Sequence, residues 1–419
     1  VLFGHHFAAI AGAGPLVGPV LAAQMGYLPG TLWIIFGVVF AGAVQDMMVL
    51  FVSMRRDGKS LGDIVKQELG TVPGVIASIG ILMIMVIIMA VLALIVVKAL
   101  VHSPWGTFTI AATMPIALFM GIYTRYIRPG KIGEISIVGF ILLMLAVIYG
   151  DNVAHSSIGH WFDLDGIQLT WAIMIFGFVA SVLPVWLLLT PRDYLSTFLK
   201  IGTIVALAIG ILIVSPALQM PAVTHFIDGS GPVFSGALFP FLFITIACGA
   251  VSGFHALISS GTTPKMLENE THVRMIGYGG MLMESFVAIM ALAAAASLDP
   301  GVYFAMNSPA ALIGTDANTA AEVITTKLQF PVDAATLLHT AKEVGENTIL
   351  SRAGGAPTLA VGMAHIMSRL IPGEAMMAFW YHFALLFEAL FILTAVDAGT
   401  RVARFMIQDL GSIFYKPFG

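Results

Sequence analysis

The stretch GHHFAAIAGAGPLVGPVL at residues 4–21 is apolar enough to lie in a membrane, yet glycines and prolines interrupt its centre. A proline has no backbone N–H, and its ring clashes with the carbonyl four residues earlier in a helix. Pro15 and Pro19 therefore release the carbonyls of Ala11 and Pro15 from the helical hydrogen-bond ladder. In hydrocarbon such carbonyls are costly, so interrupted helices occur where the backbone lines a cavity. We predict a broken helix that forms half of a binding site.

The composition of the whole chain assigns it to the membrane. It has 419 residues, of which 58% are hydrophobic and 10% charged, with a mean hydropathy of +0.96. Soluble domains contain about 25% charged residues, so this composition indicates an all-α protein that crosses the membrane many times. The scattered basic residues exclude a nucleic-acid surface. Cys248 is the only cysteine, which excludes a disulfide framework and a cysteine-based metal site, so we expect no metal.

Runs of about 20 apolar residues can cross a bilayer as helices, and the sequence contains about eleven of them within one transmembrane domain. The predicted spans are 3–24, 31–53, 73–98, 108–124, 134–150, 171–190, 198–217, 236–262, 275–297, 355–371 and 376–397. The long connection at 298–354 is predicted to carry short helices, including an amphipathic one at 333–343.

Basic residues in short loops predict the orientation, because they are retained on the cytoplasmic side. Loops after the second, fourth, sixth and eighth spans carry lysine or arginine, with Arg192 and Lys200 assigned to the loop after the sixth, whereas those after the fifth and seventh carry aspartate without either. The first span therefore runs from inside to outside, and the connection at 298–354 is extracytoplasmic. Arg401 and Arg404 do not fit, since the eleventh span should end outside. Either the tenth segment does not cross fully, or these arginines lie in the protein interior.

A second proline-containing span lies five spans after the first. Within it, Pro184 releases the carbonyl of Ala180, and Pro191 closes the segment. Because five is odd, two units of five spans would be inverted relative to each other, as in transporters of the LeuT type. We predict such a repeat, with a broken first helix in each unit. The units are about 3–150 and 171–371, followed by an extra helix at about 376–409. The alternative is that these prolines only kink ordinary transmembrane helices.

The two broken helices provide the predicted substrate contacts. A half-helix N-terminus suits a carboxylate, whereas freed carbonyls suit an ammonium group or a cation. The predicted contacts are Ala11, Gly12, Gly14, Pro15, Gly18, Ala180, Pro184 and Trp186.

Four hydroxyl side chains crowd the end of the eighth span, at Ser259, Ser260, Thr262 and Thr263. Hydroxyl and carbonyl oxygens together suit an alkali cation, and in transporters of the LeuT type such hydroxyls face the carbonyls of the first broken helix. The alternative is that these side chains bond back to their own helix and help it to end.

Ionisable residues inside the spans are functional candidates, because burying them in a membrane is expensive. Glu284 has no basic neighbour at helical spacing and lies in an apolar stretch, so it is a candidate proton carrier. His255 and Asp397 are further candidates for ion binding or proton coupling. Asp397 can instead pair with Arg401 at i and i+4. Asp46 is predicted to lie near the inner interface.

Several further stretches resemble a known family: residues 1–15, 42–46, 191–196, 259–263, 351–358 and 396–401. They are similar to the carbon starvation protein A family, and the resemblance covers essentially the whole chain. It implies a bacterial or archaeal inner-membrane protein organised like the amino acid–polyamine–organocation superfamily. Members are associated with peptide uptake when carbon is scarce, and a close branch takes up pyruvate with protons. Members usually have further spans on both sides, so we expect this chain to be a segment cut at both ends.

The expected function is secondary active import of small peptides in the bacterial inner membrane, by symport with protons or sodium. Import of pyruvate, another monocarboxylate or an amino acid is the alternative within this class. An intramembrane enzyme has no catalytic motif in its support, so we expect no enzyme and no cofactor beyond H⁺ or Na⁺. Broken helices argue against a passive channel. The expected partners are the substrate and the lipid bilayer, and the oligomeric state stays open.

Overall fold

A computed structural model of the chain describes residues 2–101, 103–128, 131–183, 187–373 and 375–414. These residues form helices and loops, without any β-strand among them. The α-helices are α1 (Leu2–Ile10), α2 (Gly14–Ala22), α3 (Tyr27–Gly37), α4 (Ala43–Met54), α5 (Leu61–Leu69), α6 (Thr71–Leu100), α7 (Pro104–Ile122), α8 (Ile132–Ala154), α9 (Gly166–Val182), α10 (Leu189–Val214), α11 (Phe243–Thr245), α12 (Ala247–Ala250), α13 (Gly253–Gly261), α14 (Gly279–Ala296), α15 (Pro300–Asn307), α16 (Ala310–Ile313), α17 (Ala317–Thr326), α18 (Ala334–Glu343), α19 (Ala356–Leu370) and α20 (Met376–Phe414). Turns of π-helix adjoin several of them, at Val38–Gly42, Tyr123–Ile127, Leu238–Leu242 and Arg274–Tyr278.

The chain is a multi-pass membrane protein, with fewer long spans than predicted. Seven described segments are long and apolar enough to cross a membrane: Tyr27–Met54, Thr71–Leu100, Pro104–Ile127, Gly133–Ala154, Leu195–Val214, Glu270–Ala296 and Met376–Gln408. The first predicted span forms two helices that are bent against each other, Leu2–Ile10 and Gly14–Met25, and this pair counts as an eighth segment if it is one span. The predicted count of about eleven is therefore not reached among the described residues. Helices α9 and α19, with 17 and 15 residues, fall short of span length, and the eighth predicted span is divided into short helices.

The first span is interrupted where its prolines predicted. Helix α1 ends at Ile10, α2 begins at Gly14, and the two are bent by 45°. Pro15 lies in the first turn of α2, where a missing N–H costs no helical hydrogen bond. The three residues between the helices are buried. The prediction of a broken first helix is confirmed.

The eighth predicted span is interrupted as well, which was not predicted. Helices α11 and α12 precede the interruption and α13 follows it. Between them, Val251 (φ −151°, ψ 106°) and Ser252 (φ −108°, ψ 122°) have extended backbone. The side-chain amide of Gln45 donates a hydrogen bond of 2.6 Å to the carbonyl of Ser252. A side chain of α4 thus supplies a partner that the helical ladder lacks at this point.

The predicted second broken helix falls partly outside the described residues. Helix α9 ends at Val182 and α10 begins at Leu189. Pro184 and Trp186 themselves lie outside the described residues. The predicted sixth span, which ran to residue 190, therefore ends earlier, and its last residues belong to the next helix.

Contacts with α20 show that α9 and α10 run in opposite directions. In chain order, the contact pairs are Gly177–Thr400, Ala180–Arg401, Arg192–Asp397 and Lys200–Phe391. Later residues of α9 contact later residues of α20, so these two helices run in the same direction. Later residues of α10 contact earlier residues of α20, so these two run in opposite directions. Helices α9 and α10 therefore form an antiparallel hairpin, with its turn at the level of Arg401.

The tenth predicted segment is a short helix, and of the two arginines that did not fit the orientation only Arg401 lies in the protein interior. Helix α19 has 15 residues, or about 22 Å, which is shorter than a hydrocarbon core of about 30 Å. Arg401 is buried and donates to the carbonyl of Ala180 at 3.0 Å, whereas the exposed Arg404 donates to that of Ser181 at 2.6 Å. Both arginines thus bind the last carbonyls of α9, where a helix attracts positive charge.

The long connection at 298–354 contributes to the core as well as to the surface. Tyr303 of α15 is fully buried, and its hydroxyl lies 2.8 Å from the carbonyl of Val20 and 2.9 Å from that of Leu21. These contacts hold the far end of α2. The predicted amphipathic helix is α18, and Asp333 caps it by accepting a 2.7 Å hydrogen bond from the Thr336 N–H. Hydrogen bonds from Thr336 hold the pKa of Asp333 below its usual range.

Candidate functional site

The two interrupted spans cross in opposite directions. In order along the first span, the contact pairs are His6–Thr263, Gly14–Cys248 and Gly18–Thr245. A Cβ at Gly14 would overlap the Cβ of Cys248, and a Cβ at Gly18 would overlap the carbonyl of Thr245. Only glycine therefore allows α2 to come this close to the first half of the eighth span.

A cluster of buried polar side chains adjoins the second interruption. Nδ1 of His255 lies 2.8 Å from Oδ2 of Asp46, and Nε2 lies 2.9 Å from Oε2 of Glu284. The thiol of Cys248 donates to Oε1 of Glu284 at 3.4 Å and lies 3.9 Å from Nε2 of His255. Asp46, His255 and Glu284 have no exposed surface, and Cys248 is half-buried. We call these four residues the histidine cluster.

The interruption and the histidine cluster are positioned by the same helices. On α4, Asp46 contacts His255 while the adjacent Gln45 holds the carbonyl of Ser252. A Cβ at Gly42, in the π-helical turn that leads into α4, would overlap the carbonyl of Ala250, so this turn packs directly on α12. Two carboxylates share one imidazole here. With all three groups ionised, the cluster keeps one net negative charge in the protein interior, which favours a cation.

Three residues of the histidine cluster have the spacing of a metal site. Cys248, His255 and Glu284 each offer one ligand atom, and these atoms all lie within 4.8 Å of one another. Sulfur, imidazole nitrogen and carboxylate oxygen are the ligand types that zinc accepts.

The hydroxyl-rich run meets the first span at His6. Oγ1 of Thr263 lies 2.8 Å from Nδ1 of His6. Ser260 donates to the carbonyl of Ala256 at 2.7 Å, which is the local back-bonding that the sequence left open. Ser259 is buried, and its hydroxyl has no hydrogen-bond partner among the described residues. The hydroxyl-rich run thus reaches the first span at the level of His6, which lies more than one turn before the first interruption.

A second polar region lies where α10 and α20 contact α1. Lys200, only 1% exposed, donates to the carbonyls of Ala8 at 3.0 Å and Phe391 at 3.2 Å. Its ammonium nitrogen lies 4.3 Å from the centroid of the Phe391 ring. Ala8 belongs to the last turn of α1, whose carbonyls have no partners further along the helix. Lys200 therefore binds the backbone at the first interruption.

The same region contains a buried ion pair between Arg192 and Asp397. Arg192 and Lys200 were counted as cytoplasmic loop charges, and this placement is wrong. Both are buried in α10, because a carboxylate and backbone carbonyls match their charges inside the protein. The carbonyl of Ala180, predicted to contact substrate, accepts instead from Arg401.

The structure brings together part of each predicted set. Ala11, Gly12, Gly14, Pro15 and Gly18 lie at or within about one turn of the first interruption, whereas Ala180 lies in the last turn of α9. Of the predicted ion-binding residues, His255 and Glu284 belong to the histidine cluster, and Asp397 belongs to the second polar region. Sequence reasoning missed three site residues, namely Asp46, Cys248 and Lys200. The partners of Asp46 and Lys200 are 191–209 residues away in sequence, and Glu284 is 36 residues from Cys248, so helical spacing gave no signal for these contacts. Only the contact of Cys248 with His255, seven residues away, has helical spacing.

Comparisons with known proteins identify the family. The family described as "Carbon starvation protein CstA" matches residues 1–419. The chain is 69% identical over 415 residues to the peptide transporter CstA of Escherichia coli (strain K12), which covers 98% of this chain and 59% of that protein. It is 60% identical over 432 residues to the pyruvate/proton symporter BtsT of the same strain, covering 98% and 60%. It is 62% identical over 423 residues to the peptide transporter CstA of Campylobacter jejuni subsp. jejuni serotype O:2, covering 100% and 60%. The chain thus spans 59–60% of the length of these relatives. It belongs to the carbon starvation protein CstA family.

Proposed function

We propose that this chain is part of a secondary active transporter of the bacterial inner membrane, which imports small peptides by symport with protons or sodium. The observation that carries the proposal is the crossing of two interrupted spans beside the buried histidine cluster. Interrupted spans place helix ends and unwound backbone inside the membrane, where charged solutes otherwise find no partners. Membership of the CstA family and relatives named as transporters support it. The proposed activity needs no covalent chemistry.

The substrate is proposed to bind at the first interruption. In the N-terminal turn of α2 the N–H groups of Leu16 and Val17 donate to the carbonyl of Ala13, so the partial positive charge of this helix end is what suits the peptide carboxylate. Ala11 and Gly12 have side chains too small to shield the backbone between the helices. Both residues are buried in this structure, so the substrate reaches them only when one bundle of helices moves against the other, as alternating access requires.

The driving cation is proposed to bind at the histidine cluster and the adjoining hydroxyls. Asp46 and Glu284 supply two negative charges against one imidazole, and the added cation offsets the excess. Ser259 follows His255 by one helical turn, so both side chains project from the same face of α13. Its buried hydroxyl has no partner among the described residues and is available as a further ligand.

The architecture that we propose keeps the inverted repeat of the LeuT type, with about eleven spans in two units of five and one extra helix. The opposite directions of the first and eighth spans fit an inverted pair, and both are interrupted. In this scheme the second interruption belongs to the third span of the second unit. The sequence analysis predicted an interruption in the first span of that unit.

A second candidate is import of pyruvate or another small monocarboxylate, or of an amino acid. The 60% identity to a pyruvate/proton symporter favours it. Lys200 also favours it, because a buried ammonium group next to the first interruption suits a ligand with a single carboxylate.

Uptake by the full-length protein in proteoliposomes separates these candidates. Labelled dipeptides and labelled pyruvate are supplied outside, with an inward proton gradient or an inward sodium gradient imposed separately. We expect labelled dipeptide to accumulate above its outside concentration under one of the gradients. Accumulation of pyruvate alone would contradict the peptide proposal. Equilibration of both compounds without accumulation under either gradient would contradict symport.

A further inference from the structure

We propose that Cys248, His255 and Glu284 form a binding site for a divalent transition-metal cation such as Zn²⁺. The three residues lie on α12, α13 and α14. A cation bound by all three would join both halves of the interrupted eighth span to α14. The inference stands on the geometry of these side chains and does not depend on which substrate the protein carries. Because this site shares His255 and Glu284 with the proposed driving-cation site, a bound divalent ion and the driving cation exclude each other.

The ligand atoms have separations close to those that one metal ion requires. Sγ of Cys248 lies 3.9 Å from Nε2 of His255 and 3.4 Å from one carboxylate oxygen of Glu284, Oε1. The other oxygen, Oε2, lies 2.9 Å from Nε2, and one ligand atom from each residue lies within 4.8 Å of the other two. Tetrahedral zinc, with bonds of about 2.3 Å to sulfur and about 2.0–2.2 Å to nitrogen or oxygen, needs ligand atoms about 3.3–3.6 Å apart. The observed separations lie on both sides of this range. Small rotations of the side chains therefore bring all three atoms to one ion.

Asp46 provides the second contact that histidine ligands of metals require. Its carboxylate accepts from Nδ1 of His255 at 2.8 Å, and an ionised carboxylate can only accept. The proton of a neutral imidazole is therefore held on Nδ1, and the lone pair of Nε2 points towards Cys248 and Glu284. This carboxylate–histidine–metal arrangement fixes the tautomer and the ring orientation of the ligand.

The chemistry of the ligands selects a borderline or soft cation. Thiolate and imidazole bind zinc far better than sodium, magnesium or calcium, which prefer oxygen ligands. On binding, the thiol proton of Cys248 and the second proton of the His255 imidazolium are released to solvent. Two positive charges enter with the ion and two leave as protons, so the buried site gains no net charge. A solvent molecule completes the tetrahedron, as in zinc sites with three protein ligands.

The sequence argued against a metal because it has one cysteine. That argument considered cysteine ligands alone, whereas this site takes one ligand of each type. Cys248 and Glu284, the first and last of the three in sequence, are 36 positions apart. Only the packing of α12 and α13 against α14 brings the three residues together.

Metal titration of the full-length protein tests the proposal. The purified protein is freed of metal with a chelator and titrated with Co²⁺, followed by Zn²⁺ in competition with a chromophoric chelator. We expect one equivalent of Co²⁺ to give the near-ultraviolet charge-transfer band of a cobalt–thiolate bond, and Zn²⁺ to abolish that band. Asp46→Asn should keep the thiolate band but weaken Zn²⁺ binding by about 10- to 100-fold.

Two variants decide the outcome. Cys248→Ser changes one atom and should abolish the cobalt–thiolate band while the protein still elutes as a monodisperse peak. His339→Ala is the matched control, because His339 lies 3.3 Å from Glu343 on the exposed helix α18 and resembles an adventitious surface site. It should leave the band and the Zn²⁺ affinity unchanged. A band that persists in Cys248→Ser, or Zn²⁺ binding that only His339→Ala removes, would overturn the proposal.

Discussion

The histidine cluster and the second polar region adjoin the same first span, yet their charges are opposite. The histidine cluster has two carboxylates and one imidazole beside the interruption of the eighth span. The second polar region has one carboxylate, Asp397, and three cationic groups that bind this carboxylate or backbone carbonyls. Its cations are matched by fixed groups of the protein itself. With both of its carboxylates ionised, the histidine cluster keeps an excess of negative charge.

This difference separates a structural role from a binding role. Lys200 and Arg401 bind carbonyls at the ends of α1 and α9, so these helix ends are stabilised by the chain itself. The histidine cluster has no fixed cation besides His255 among the charged groups that contact it. A mobile cation can therefore bind there. Substitutions in the second polar region should affect stability, and substitutions in the histidine cluster should affect coupling.

Asp397→Asn should cause the largest loss of stability, because it leaves Arg192 buried without its carboxylate. Breaking a buried ion pair costs about 3–5 kcal/mol. The matched control is Glu134→Gln, which breaks the exposed pair with Arg128, 3.1 Å apart, and should cost less than about 1 kcal/mol. Thermal unfolding in detergent measures both variants. If Asp397→Asn unfolds like the control but loses cation coupling, the second polar region belongs to the binding site.

Gly18→Ala should cause the next largest loss, because the added Cβ overlaps the backbone carbonyl of Thr245. Overpacking typically costs about 1–3 kcal/mol, and backbone cannot move aside as a side chain does. Gly80→Ala on α6 is the control, since nothing lies within 4 Å of its added Cβ. Its unfolding temperature should stay unchanged or rise slightly. Equal stability of the two variants would show that the interrupted spans are not in direct contact.

Of these substitutions, Glu284→Gln should change the stability of the protein least and the coupling of substrate uptake to the cation gradient most. The amide keeps the shape of the side chain but removes one of the two negative charges, so the driving cation loses its counter-charge. We expect gradient-driven accumulation of substrate to fall by about 5- to 100-fold, the range of typical coupling free energies. Glu343→Gln on the outer helix α18 should leave accumulation unchanged. Normal accumulation of substrate by the Glu284→Gln variant would show that the cation site lies outside the histidine cluster.

The membrane class and the first interruption could be predicted from the sequence, because both follow from local properties. Composition decides whether helices face lipid, and Pro15 cannot continue the ladder of a preceding helix. The second interruption carries no such mark. No proline occurs between Pro240 and Pro264, and the extended backbone at Val251 is stabilised by a tertiary contact through Gln45. Pro184, by contrast, gave a strong local signal but lies outside the described residues.

The buried charged residues also could not be predicted from local sequence. Arg192 and Lys200 follow an apolar run and were taken as loop residues, since an isolated lysine or arginine in lipid is costly. Their burial becomes favourable only when Asp397 and the carbonyls of Ala8 and Phe391 come within reach. Those partners lie about 190–205 positions away from them, which no periodicity can reveal.

The most direct test of the account is substrate protection at the first interruption. Gly12→Cys is introduced into the full-length Cys248→Ser background, and labelling with a membrane-permeant maleimide is followed with and without a dipeptide. His339→Cys on the exposed helix α18 serves as the control. The account predicts that the dipeptide slows labelling at position 12 and leaves labelling at position 339 unchanged. Equal labelling of position 12 with and without a dipeptide that is transported would contradict it.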